Sequence, residues 1–167
     1  MPEEIMPGVF IEVCSTRDAS THEGFVRGVV DFAINYAISN QDDIPPTVYM
    51  IREDGTMTML VSSKLVDPKS KPFMVGLVKK MAKHLRAIGT CTVFESWVTM
   101  FENGSQSSQK MDAVVFVSEW QGKKPITKII NKVFDKDGKS FKLVEMDKIN
   151  TPADEVSGIF CGLLEDN

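Results

Sequence analysis

Apolar residues recur at Met74, Leu77, Val78, Met81, Leu85 and Ile88. This spacing of three and four predicts a helix with one buried stripe. Ser70 suits its cap and Pro72 its first turn, while Lys79, Lys80, Lys83 and Arg86 fall mostly off the stripe. Gly89 supplies the left-handed residue that ends such a helix. Residues 91–101 then turn β-branched and aromatic, with Val93, Trp97 and Phe101 on one face and Phe94, Val98 and Met100 on the other. That pattern predicts a central strand covered at least partly on both faces.

Elsewhere Val9, Ile11 and Val13 alternate within a short first strand. Ser20-Thr21-His22-Glu23 has the form of a capping box, with Ser20 as cap and Glu23 reaching back. The helix it opens runs to about residue 39 and buries Phe25, Val26, Val29, Val30, Ala33, Ile34 and Ala37. Asp54-Gly55 predicts a hairpin between residues 47–53 and 56–62. In that register Val48 and Met50 share the core face with Met57, Met59 and Val61, while Tyr49, Ile51 and Leu60 take the other. Residues 102–110, rich in Ser, Gln and Gly, read as a mobile loop. Residues 112–120 form a further strand, and residues 126–134 and 140–146 a second hairpin. Thr151 and Pro152 open a short helix carrying Val156, Ile159, Phe160, Leu163 and Leu164. The expected fold class is α+β: a mainly antiparallel sheet of about five to six strands, with two long helices packed on one face.

With 167 residues, one compact domain over 1–167 is expected, burying roughly 70% of its unfolded surface. Residues 151–167 are a candidate for contacts between copies in a homo-oligomer. No apolar run is long enough to span a bilayer, and the acidic start is unlike a signal peptide. Cys14, Cys91 and Cys161 are scattered and odd in number, which argues for a reducing, cytoplasmic setting and against a zinc site. Asn103-Gly104-Ser105 matches a glycosylation sequon but reads as a loop tip in that setting.

Charge is unevenly distributed. Residues 1–68 carry 4 bases and 11 acids, residues 69–142 carry 14 bases and 6 acids, and residues 143–167 carry 1 base and 6 acids. The plain reading is solvated faces that balance in the fold. The sharper one is a basic surface for an anionic partner, built from Lys79, Lys80, Lys83 and Arg86 with Lys123, Lys124, Lys128 and Lys132. No aromatics interleave with these bases, so base stacking on single strands gains little support.

Catalytic candidates are few. If residues 91–101 and 112–120 pair with Phe101 opposite Ala113, Glu95 falls opposite Glu119 beside Trp97. Two carboxylates so close would raise one pKa or recruit a cation. His22 and His84 stand in no metal-ligand spacing, and Cys14 and Cys91 lack a histidine partner. Gly138-Lys139-Ser140 echoes a P-loop, but Val133 stands where its first glycine belongs. Asp135-Lys136-Asp137-Gly138 echoes a calcium loop, but Met146 occupies its twelfth position. No cofactor or metal motif is complete.

Phe94-Glu95-Ser96-Trp97 followed by Val117-Ser118-Glu119 resembles a Glu-X-Trp strand motif of small uncharacterised phage and bacterial proteins. The resemblance covers residues 47–119, implies no activity and points to a phage or mobile-element accessory protein. The expected function is a non-catalytic binding protein for a protein partner or an anionic small ligand. The alternatives are a metal-assisted hydrolase on Glu95 and Glu119, and a nucleic-acid-binding module on the Lys79, Lys80, Lys83 and Arg86 face.

Overall fold

A computed structural model of the chain describes residues 2–15, 20–102, 105–145 and 163–164. Its helices are α1 (His22–Asn40) and α2 (Lys71–Leu85). Its strands are β1 (Glu3–Met6), β2 (Val9–Ser15), β3 (Thr47–Arg52), β4 (Thr56–Val61), β5 (Ala87–Glu102), β6 (Ser105–Trp120), β7 (Ile126–Phe134) and β8 (Phe141–Glu145). They form one open antiparallel sheet in the order β1-β2-β4-β3-β5-β6-β7-β8. The α+β class and a central β5 match the sequence pattern; the strand number exceeds the expected five to six. The expected C-terminal helix, Cys161 and most of residues 151–167 lie outside the described residues.

The helices do not share a face. Phe25, Val26, Val29 and Ala33 of α1 pack with Tyr49, Ile51, Cys91, Val93, Val114 and Phe116. Met74, Val75, Val78 and Ala82 of α2 pack with Val48, Met50 and Leu60. Successive strand residues point to opposite faces, so one helix covers each side. The physical reason is in β3: Val48, Tyr49, Met50 and Ile51 are all buried, and a single layer of helices would strand half of them in water.

Three local expectations shift. The β3–β4 hairpin pairs Ile51 with Met57 and Val48 with Leu60, one residue off the expected register. Gly55 N–H donates to Arg52 O at 3.0 Å with Gly55 at φ 85°, so the loop is one residue longer than Asp54-Gly55. Such a slip exchanges the faces of Val48 and Tyr49 relative to β4. Thr21, not Ser20, caps α1, its hydroxyl accepting from Gly24 N–H at 3.0 Å. Arg86, at φ 54°, ends α2 in place of Gly89.

Gly89 instead lies in β5 opposite Trp120. A Cβ there would come 2.6 Å from Trp120 Cε3 and 3.0 Å from Ile51 Cγ2, so the indole needs the bare backbone. Residues 105–110, expected in a loop, continue the β5–β6 ladder, with Thr99 opposite Lys110 and Glu102 opposite Ser105. Main-chain pairing carries this extension, so it needs no apolar side chains. The hairpin at 135–140 is as expected: Asp135 N–H donates to Ser140 O at 2.8 Å, and Gly138 adopts φ 68°. Both false motifs are therefore one turn.

Candidate cation-lined site

The C-terminal half of α2 ends beside the β3–β4 turn, the start of β5 and the turn after β6. A cavity of about 640 Å³ opens there, lined by Lys79, Lys80, Lys83 and Arg86 with Glu53 and Gln121. Gly76, Ala82, Ala87, Ile88, Leu163 and Leu164 complete its wall. The helix repeat places positions 79 and 83 four apart on one flank, beside the buried stripe of Val75, Val78 and Ala82, and Arg86 follows at the left-handed cap of the same helix end. Gln121 N–H donates to Ile88 O at 2.8 Å and closes the floor where β5 begins. Four of the bases expected at a binding surface thus line one concavity.

The others do not join them. Lys123 and Lys124 are exposed in the turn after β6 and lie outside that lining. Lys128 is on β7 opposite Phe116. Lys132 is no surface cation: its side chain is 3% exposed. Its ammonium lies 2.7 Å from Asp43 Oδ1 and 2.9 Å from Glu95 Oε1, and 4.2 Å from the Phe141 ring centre. Burial lowers the Lys132 pKa, but the hydrogen bonds to Asp43 and Glu95 outweigh it and the net shift is upward. The Lys132 hydrogen bond holds Asp43 below the ordinary carboxylate value, whereas desolvation leaves Glu95 above it. This trio ties the α1–β3 loop to β5 and β7.

Glu95 and Glu119 do not meet. β5 and β6 pair Glu95 with Val114 and Thr90 with Glu119. The register differs by an odd number of residues from the expected one, because the ladder runs to Glu102 and Ser105 and leaves no long loop. Glu95 therefore shares the α1 face with Val93 and Val114. Glu119 faces the other way, where its Oε1 accepts from Leu163 N–H at 2.8 Å.

His22 is buried in the first turn of α1. Its Nε2 lies 3.0 Å from Ser118 Oγ, and Ser118 donates onward to Thr90 O at 2.9 Å. With the hydroxyl proton committed to Thr90, Nε2–H is the donor to Ser118. The imidazole stacks on Trp120, 5.6 Å between centroids, and desolvation lowers its pKa. Ser118 is fully buried, so this pair cannot reach a substrate. Burial pushes the Cys91 thiol up to about 12, and burial with Glu12 raises Cys14, which disfavours thiolate chemistry at both. Among the described residues, no group of three or more His, Cys, Asp or Glu is placed to hold a metal.

A second cavity, of about 240 Å³, lies between α1 and the β2–β4 side of the sheet. Phe32, Tyr36, Ile44, Tyr49 and Met59 line it, so it is mainly apolar. No described helix is long and apolar enough to cross a membrane. No family model, characterised protein or solved structure matches this chain.

Proposed function

We propose that the chain is a binding protein that holds an anionic small ligand in the cavity at the end of α2. The observation that carries this reading is the convergence of Lys79, Lys80, Lys83 and Arg86 on one concavity whose remaining wall is largely apolar. Clustered cations against a low-dielectric wall raise the local concentration of anions and strengthen their contacts. A concavity of this size suits a small molecule better than a duplex backbone, which needs a row of cations along an open surface. Calorimetric titration with small polyanions tests the reading. Binding should weaken at least tenfold in a variant carrying Lys79→Ala, Lys80→Ala and Lys83→Ala, with folding intact. Equal binding by that variant rejects this site; salt-steep binding of oligonucleotides without any small polyanion turns the reading to nucleic acid.

A further inference from the structure

We infer that the ligand of this cavity is a phosphorylated organic molecule and that Arg86 selects it; this rests on the anion-binding reading above. The first support is charge. Four cations line the cavity against the single carboxylate of Glu53. A monocarboxylate leaves most of that charge uncompensated, whereas one phosphoryl group carries about −1.5 to −2 at pH 7. The cavity, at about 640 Å³, also exceeds what a lone inorganic anion fills, and Ile88, Leu163 and Leu164 offer an apolar body somewhere to lie.

The second support is the backbone. Arg86 holds φ 54°, a left-handed conformation that glycine adopts freely and a residue with a side chain adopts against a penalty. Gln41, at φ 48°, is the other such residue in the described chain, and its side chain explains it. Gln41 Oε1 accepts from Phe141 N–H at 3.0 Å and Nε2 donates to Phe141 O at 3.3 Å, clamping β8 to the end of α1. Arg86 instead lines two adjoining cavities, the cationic one and a more open one with Arg52, Glu53 and Asp54. The left-handed turn itself is the C-cap of α2, where Arg86 N–H donates to Ala82 O and Lys83 O; what the cap leaves unexplained is an arginine in place of glycine at the wall of a cation-lined cavity. The planar guanidinium fork engages two phosphate oxygens at once, which a lysine does not.

Calorimetry with ATP, tripolyphosphate and decanoate as probes, on the wild-type chain, Arg86→Gly and Arg86→Lys, tests the inference. The wild type should bind ATP more tightly than tripolyphosphate, and at least tenfold more tightly than decanoate. Arg86→Gly should lose at least tenfold for both phosphorylated probes while its ligand-free melting temperature holds or rises; Arg86→Lys should fall between. Several results overturn the inference and leave the anion site standing: decanoate as the best ligand, tripolyphosphate equal to ATP, Arg86→Lys equal to wild type, or Arg86→Gly binding as wild type does. Arg86→Gly losing melting temperature together with affinity assigns Arg86 to the fold and overturns it too. Binding of none of the three probes removes the anion site itself.

Discussion

Replacing Lys132 by methionine keeps most of the length of the side chain and removes its charge. The ammonium bridges two unequal carboxylates: the Asp43 side chain is 79% exposed and the Glu95 side chain 20%. Freed, Asp43 returns to water at little cost, but Glu95 stays half-enclosed on the α1 face. Removing one partner of a fully buried pair costs about 3–5 kcal/mol; with only one enclosed carboxylate left unpaired, about 2–3 kcal/mol is expected here at pH 7. That is a large share of the roughly 5–15 kcal/mol that holds a domain together. The pH dependence separates this charge effect from packing. Desolvation already raises Glu95 above its ordinary value of 4.5, and losing Lys132 raises it further. A carboxyl raised in the fold contributes stability when protonated and loses it as pH climbs through the folded value. Asp43 works in the same direction: its depressed value stabilises the wild type above 3.8 and is lost on acidification. The gap between wild type and Lys132→Met should therefore be widest near neutral pH and shrink toward pH 4. Urea unfolding across that range measures it, and adding Glu95→Gln should recover about 1–2 kcal/mol, since a neutral amide costs less to enclose than an ion. A loss that is equal at pH 4 and pH 7, or a double variant no better than the single, would refute the reasoning.

Gly89→Ala should destabilise by about 1–3 kcal/mol, because Trp120, already packed on His22 and Phe25, has little room to yield; a denaturation midpoint within error of wild type would show that it yields. His22 is held below its ordinary value of 6.5 by desolvation, so the unfolded chain takes up that proton first and stability falls as pH drops below that value. His22→Gln should flatten this part of the profile; an unchanged slope between pH 7.5 and 5.5 would move its origin elsewhere.

Much of the architecture is legible in residue spacing. The stripe from Met74 to Leu85, the Phe25 to Ala37 stripe and the doubly apolar start of β5 are local signals, and each forms the element it announces. Both sides of β3 are apolar, which already implied a helix on each face; the opposite expectation treated its second face as incidental. Turn lengths were the weak point. One extra residue at Glu53, and a ladder running on through Glu102 and Ser105, each change which residues share a face, and with that the fate of Glu95 and Glu119. Lys132 could have been found: it follows Ile130 by two positions on β7, on the inward face. Its partner Asp43 could not, since a contact across 89 positions leaves no periodic trace. The helix spacing of Lys79 and Lys83 foretold a shared flank, but not that β5 and Leu163 would wall it into a cavity.

Where the ligand sits is the question on which the functional reading turns. Titrating ATP into isotopically labelled protein while following the Arg86 Nε–H and the methyl groups of Ile88 and Leu164 answers it directly. Saturable shifts concentrated at those groups are expected, with the Phe32 and Tyr36 groove unmoved; shifts centred on that groove, or none at Arg86, would contradict a cation-lined binding site at the end of α2.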